Sequence, residues 1–108
     1  MRYTINHRWG DAEEADSLGG PVLVALLAEL ADPTDTEHPD VWIDDNESGW
    51  CLSVFAGDAG LVVLENDEKD DIRHLRGLSS DDAVALCTAF GAGDLEAVLQ
   101  KGWLPGYG

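Results

Sequence analysis

Residues 41–65 read VWIDDNESGWCLSVFAGDAGLVVLE, and this stretch decides the fold. It holds three runs of strand-forming residues, over 41–44, 50–56 and 60–65, separated by short segments rich in Asp, Asn and Gly. Because these residue types accept the backbone of tight turns, the economical topology pairs each run antiparallel with the next. The stretch therefore predicts a β-meander.

The segments on the N-terminal side add one strand and one helix. Residues 2–9 alternate between two faces, which predicts a half-buried strand whose inner side carries Tyr3, Ile5, His7 and Trp9. After an acidic turn over 10–16, Pro21 and four leucines at helical spacing predict a helix over 21–31. A polar loop over 33–40 is expected to follow it.

The C-terminal third predicts further elements. After a charged turn over 67–71, residues 74–78 predict a short edge strand. A serine at 79 or 80 caps a second helix, whose inward side is predicted to carry Ala83, Leu86, Cys87 and Phe90. A last helical turn or two begins at Asp94. Residues 1–108 are thus expected to form a single α+β domain, in which an antiparallel β-meander of four to five strands packs against two to three helices.

The acidic residues are concentrated in one block. Between Arg8 and Lys69 the chain runs for 60 residues without Lys or Arg and carries 16 Asp and Glu, whereas the other 6 acidic residues balance all 6 basic ones. The formal net charge of -16 therefore comes from this block. Solubility needs far less charge, and self-repulsion destabilises the compact state, so the block indicates a positively charged partner. The alternative, that the block is only a solvated face, stays open.

Composition argues against other classes of partner. Nucleic-acid binding needs Lys and Arg for phosphate contacts, and this chain has only 6. The longest apolar stretch, residues 21–28, is shorter than the roughly 20 residues of a membrane span, and anionic lipid would repel the acidic surface. With two Cys and no signal-peptide pattern, we expect a reduced, cytoplasmic protein.

Catalytic and metal chemistry has little support in the sequence. His7, His38 and His74 share no ligand spacing with one another or with a Cys, so we predict neither a metal site nor a cofactor. Cys51 and Cys87 lie in apolar segments, where a thiol packs as a small hydrophobic group. No Ser-centred nucleophile motif or Gly-rich phosphate loop accompanies them. We therefore do not expect an enzyme.

A contact surface is predicted where aromatic and acidic residues adjoin. The carboxylates would steer a cationic protein, and an aromatic side chain would supply the desolvated anchor. Trp42 lies on the strand face opposite Val41 and Ile43, so it belongs either to the core or to this surface, while Trp50 is expected in the core. The residues predicted to contact a partner are Trp42, Asp44, Asp45, Glu47, Asp67 and Glu68.

Three segments carry a family resemblance: Gly49-Trp50-Cys51-Leu52-Ser53-Val54, then Gly57-Asp58-Ala59-Gly60-Leu61-Val62-Val63-Leu64, and Phe90-Gly91-Ala92-Gly93-Asp94-Leu95 leading to Trp103. In these segments the chain resembles the first-numbered Imm family of immunity proteins from bacterial polymorphic toxin systems. The resemblance implies an α+β protein without catalytic residues that binds and neutralises a cognate toxin, often a nucleic-acid deaminase. Because such a toxin needs a basic groove for phosphates, an acidic monomer could occlude that groove in a 1:1 complex.

Two other functions would use the same charge. A DNA mimic or anti-restriction protein would present its carboxylates to a nucleic-acid-binding host factor. An adaptor or chaperone would instead hold a secreted effector. Neither needs a paired toxin, so the identity of the bound protein separates them from an immunity protein.

Overall fold

A computed structural model describes residues 2–31, 40–57 and 60–107. These residues form one sheet of seven antiparallel strands, in the spatial order β2-β1-β3-β4-β5-β6-β7. The strands are β1 (Tyr3–Asn6), β2 (Ala12–Ala15), β3 (Asp40–Asp45), β4 (Trp50–Phe55), β5 (Val62–Asn66), β6 (Asp71–Leu75) and β7 (Leu104–Pro105). The α-helices are α1 (Gly20–Ala28), α2 (Ser80–Gly91) and α3 (Leu95–Leu99).

The α+β class is confirmed, but the described sheet has seven strands rather than four or five. Strands β3 to β5 form the predicted meander and β6 continues it. The prediction of an edge strand over 74–78 was wrong, because β6 spans Asp71–Leu75 and pairs with β7 on its other side. One additional strand, β2, lies in the segment expected to be an acidic turn, and another, β7, lies near the C-terminus. The predicted loop, apart from Asp40, and the centre of the turn after β4 lie outside the described residues.

The first strand is shorter than its alternation predicts. β1 ends at Asn6, and a turn follows in which the His7 N–H donates to the Asp11 carbonyl (2.8 Å) and the Gly10 N–H to the His7 carbonyl (3.1 Å). The turn reverses the expected sides of the next residues, because they no longer follow the pleat. Arg8 is only 3% exposed, whereas Trp9, expected on the inner face, is 58% exposed.

One face of the sheet packs against the helices. Every second residue of β1, β3, β4 and β5 points to this face, where α1 contributes Leu23 and Leu26. The four residues predicted for the inner side of α2 are all buried. Each fully buried apolar side chain contributes about 1.5–3 kcal/mol relative to an exposed one. The sheet residues of this core are Tyr3, Ile5, Val41, Ile43, Trp50, Leu52, Val54, Val62 and Leu64.

Local sequence explains where the helices begin. Pro21 occupies the first turn of α1, where its missing N–H costs no hydrogen bond, and a single 3-10 turn (Glu29–Ala31) extends the helix to the predicted end. Ser79 caps α2 by accepting the Asp82 N–H at 3.1 Å.

The Tyr3 hydroxyl donates to the Phe90 carbonyl (3.1 Å), which ties β1 to the end of α2. The sheet is thereby covered on one side.

Candidate interaction face

The second face of the sheet is not covered by the described helices, and none of its residues belongs to the hydrophobic core. The strand register arranges these residues in cross-strand rows, which we call the open face. One row holds Ala12, Asn6, Trp42, Ser53, Val63, His74 and Leu104; the next holds Glu14, Thr4, Asp44, Cys51, Glu65 and Ile72; Asp40 and Phe55 form a third pair.

The open face is electrostatically one-sided. Its rows contain the carboxylates of Glu14, Asp40, Asp44 and Glu65 and no Lys or Arg. Several basic side chains lie instead on the helix-covered side, where Lys69 and Arg73 sit over the ring of the core residue Trp50, at 5.8 and 5.6 Å from its centroid. The negative charge of the rows is therefore not neutralised within them.

Trp42 is the aromatic centre of this face. It is half-buried and lies between Asn6 and Ser53 in its row, with Asp40 and Asp44 two residues away along the same strand. The structure thus decides between the two positions open to Trp42, because Val41 and Ile43 point into the core and Trp50 is 4% exposed there. Trp42 belongs to the side of the sheet that the described helices do not cover.

The middle of the open face is closely packed. Val63 is 2% exposed although it lies outside the core, and its neighbours Ser53 and His74 are also buried. The C-terminal segment contributes to this packing: His74 Nδ1 lies 3.0 Å from the Gly106 carbonyl, and the Tyr107 hydroxyl donates to Glu65 (3.2 Å). The carboxylates of this face therefore lie beside a packed centre, with Asp40, Asp44 and Glu65 partly buried and Glu14 exposed.

The polar contacts of the face include a hydrogen bond to Asp44 and the surroundings of the Cys51 thiol. Asp44 accepts a hydrogen bond from Asn6 Nδ2 at 3.0 Å. Burial, together with the nearby carboxylates of Asp44 and Glu65, raises the pKa of the Cys51 thiol far above its usual range, so Cys51 stays protonated. Burial likewise raises the pKa of Cys87 to about 12. Partial burial raises the pKa of Asp40.

Asp45 is the predicted contact residue that the structure moves to the interior. It is 1% exposed, and its carboxylate accepts hydrogen bonds from Arg2 Nε (3.1 Å), Arg2 Nη2 (3.0 Å), Ser48 Oγ (2.7 Å) and the Glu47 N–H (3.1 Å). All these partners belong to the chain itself. We therefore correct the assignment and give Asp45 a role in the β3–β4 turn instead of in partner binding.

The remaining predicted acidic residues lie in two turns at one end of the sheet. Glu47 is exposed in the β3–β4 turn, where its carboxylate lies 3.3 Å from Arg2 Nε. Asp67 and Glu68 are exposed in the 3-10 turn after β5, which Asn66 caps by accepting the Glu68 N–H at 3.1 Å. Asn66 also joins the two turns, because its Nδ2 donates to the Ser48 carbonyl (3.2 Å).

Sequence reasoning did not single out Glu14, Asp40 or Glu65. The alternation of β5 could have indicated Glu65, since Val62 and Leu64 point to the core and the residues between them point away. Asp40 could have been found in the same way from Val41 and Ile43. Glu14 offered no such pattern, because its strand is exposed along most of its length.

Metal-ligand clusters and membrane-length helices are absent from the described residues. Residues 2–31, 40–57 and 60–107 contain no group of three or more His, Cys, Asp or Glu placed to hold a metal ion. Within the same ranges, no helix has the length and apolar character needed to cross a membrane. Comparison of the chain with protein-family models, curated proteins and solved structures gives no match.

Proposed function

We propose that this protein is an acidic immunity protein, which binds and neutralises a cognate toxin in the cytoplasm through the open face. The observation that carries the proposal is that the open-face rows hold half-buried Trp42 and four carboxylates but no Lys or Arg, with Asp40 and Asp44 two residues from Trp42 along its strand. The net charge of -16 supports a cationic partner. The resemblance to the first-numbered Imm family supports a toxin as that partner.

The open face would inhibit such a toxin without any chemistry of its own. A toxin that acts on nucleic acid, such as a deaminase, carries a basic groove for phosphates. The carboxylates of Asp44 and Glu65 would occupy phosphate positions in that groove, and their charge would accelerate the encounter. Trp42 would serve as a desolvated aromatic anchor. Glu47, Asp67 and Glu68 would extend the acidic contact over the adjoining end of the sheet.

The test uses a toxin domain whose gene adjoins that of this protein, and it measures both binding to that domain and protection of bacteria from it. The wild-type chain is expected to restore growth of bacteria that express the toxin domain and to form a 1:1 complex with it. The double variant Asp44→Asn/Glu65→Gln should slow association about tenfold at low salt, because it removes two steering charges. Trp42→Ala should raise the Kd about 30-fold, equivalent to about 2 kcal/mol.

The matched control is Asp81→Asn/Asp82→Asn, which removes the same charge from exposed positions on α2. Its association rate should stay within about twofold of the wild-type rate, since these residues lie away from the open face. Equal slowing of both double variants would mean that only net charge matters and would reject the open face as the contact. Failure of the wild-type chain to bind or protect would reject the immunity function.

A further inference from the structure

Strand β2 leaves one edge of the sheet unpaired in the described part of the chain. It is the outermost strand in the sheet order and pairs only with β1, through Tyr3–Ala15 to Asn6–Ala12. Ala12, Glu13 and Glu14 are exposed. The N–H and C=O groups on the outer side of such a strand can form a ladder with an added strand of another chain.

The turn that leads into β2 is fastened to the end of α1. Glu29 Oε1 accepts the Arg8 N–H at 2.9 Å, and Arg8 Nη1 donates to the Glu29 carbonyl at 2.7 Å. The same Glu29 side chain contacts His7 Nδ1 at 2.6 Å, and His7 Nε2 contacts Glu13. These contacts, with the two backbone hydrogen bonds of the turn, fix the direction in which the hairpin points.

Trp9 lies at the tip of this fastened hairpin and is 58% exposed. A large aromatic side chain left in water on a rigid turn loses little conformational entropy when a partner covers it. Its ring can also stack with a guanidinium group of a partner. Trp9 and the free edge of β2 therefore form a continuous surface that offers an aromatic anchor and a row of backbone hydrogen-bonding groups.

The charge of this edge selects the kind of chain that can bind. Asp11, Glu13, Glu14 and Asp16 lie in or beside β2, and all four are exposed. A second copy of the same edge would bring these carboxylates opposite one another, which disfavours self-pairing. An incoming strand with Arg or Lys at alternate positions would instead place opposite charges across the pair.

We propose that the outer edge of β2 and the ring of Trp9 together bind an extended basic segment of a protein partner, which joins the sheet as an additional strand. The inference rests on the proposed function only for the positive charge of the partner. It concerns the outer edge of β2, which shares Ala12 and Glu14 with the open face but would bind through its backbone groups and Trp9. The segment alternates Arg or Lys with strand-forming residues, stacks one guanidinium on Trp9 and pairs its backbone with β2.

A synthetic peptide tests this pairing on the full chain. The probe alternates Arg with Thr over about eight residues, a usual strand length. A control peptide replaces every Thr by Pro, which keeps the charge but removes the N–H of every second residue and disfavours pairing as a strand. We expect the first peptide to bind at least about tenfold more tightly than the control and to slow amide hydrogen exchange in residues 12–15, measured by NMR. Relative to the wild-type chain, Trp9→Ala and Glu14→Lys should each bind the Arg-Thr peptide about five- to tenfold more weakly.

Glu96→Lys is the matched control for Glu14→Lys, because it makes the same charge change at an exposed position on α3 and should leave binding within about twofold. Circular dichroism melts verify that each variant is folded. Equal affinity of the two peptides would overturn the proposal, and so would slowed amide exchange that lies outside β2. Slower exchange of residues 12–15 at higher protein concentration without peptide would also overturn it, because it would mean that β2 pairs with a second copy of the chain. If the peptide fails while a toxin complex still forms through the open face, only this inference falls.

Discussion

Asp45 is buried beside Arg2, and its carboxylate also accepts hydrogen bonds from Ser48 and the backbone of Glu47. Burial opposes its ionisation, but the hydrogen bonds from Arg2 and Ser48 outweigh this, so its pKa lies below the usual value. Asp45→Ala should lower the free energy of unfolding by about 2–3 kcal/mol in urea denaturation at neutral pH. Asp44→Ala, on the open face, should cost less than about 1 kcal/mol. Similar losses in both variants would contradict the assignment of Asp45 to the fold.

The pH dependence of that contribution has a definite sign. The pKa of Asp45 is lower in the folded chain than in the unfolded one, so its stabilisation is present above the unfolded value of about 3.9 and is lost as the pH falls through the folded value. The difference in unfolding free energy between the wild-type chain and Asp45→Asn should therefore shrink on acidification below about pH 4.

His7 should have the opposite pH dependence. The hydrogen bond to Glu29 is the largest cause that raises its pKa, and the contact with Glu13 adds to it. Its stabilisation is therefore complete below the unfolded pKa of about 6.5 and is lost as the pH rises through the higher folded value. Urea denaturation from about pH 6 to pH 9 should show the advantage of the wild-type chain over His7→Gln decreasing with pH. An advantage that grows over this range would contradict the Glu29–His7–Glu13 contact.

At the scale of secondary-structure elements, the entry into β5 depends on close approach of two backbones. Gly60 has φ +58°, and a Cβ placed on it would lie 2.4 Å from the Leu78 nitrogen, in the connection from β6 to α2. Gly60→Ala should therefore destabilise the fold by at least about 3 kcal/mol. Gly77→Ala is the control, because Gly77 also has positive φ (+76°) but no atom within 4 Å of its Cβ position. Gly77→Ala should lower the free energy of unfolding by about 1 kcal/mol, and thermal melts of both variants measure the difference. Equal losses of stability in the two variants would show that the backbone contact of Gly60 is unimportant.

The meander was predictable because burial on one face imposes a period of two on the sequence. Val41, Ile43, Leu52 and Leu64 point to the core, and this alternation also places Trp42 on the opposite face. The alternation did not decide whether Trp42 belongs to the core or to the contact surface, however, because only the packed helices show which face of the sheet they cover. Hydrophobic periodicity in the sequence locates a strand or helix when one face of that element is buried in the core.

The elements that sequence reasoning missed lack such a pattern or depend on distant residues. β2 reads Ala-Glu-Glu-Ala and is largely exposed, so nothing in its sequence distinguishes it from an acidic turn. The positions of Arg8 and Trp9 follow from contacts with Glu29, 21 residues away along the chain. Asp45 is removed from the candidate site by Arg2, 43 residues away. Long-range pairs of this kind have no local signature.

At the scale of the whole molecule, 22 acidic residues face only 6 basic ones, and the described pairs use part of that small number inside the fold. Arg2 is held by Asp45, and Arg73 by Asp71 at 2.8 Å. The open face therefore carries carboxylates that no Lys or Arg of its rows neutralises, and like charges on one face oppose the compact state.

Neutralising the open face should consequently stabilise the free protein while it weakens binding. Asp44→Asn/Glu65→Gln should raise the Tm at low salt by about 2–5 °C, equivalent to about 0.5–1 kcal/mol, because it removes repulsion among the carboxylates of these rows. At about 0.5 M NaCl the gain should largely disappear, since the repulsion is then screened in the wild-type chain as well. Thermal melts across a salt series measure both effects. A lower Tm for the variant at low salt would mean that intramolecular contacts hold Asp44 and Glu65 favourably, and that their charge is not kept for a partner.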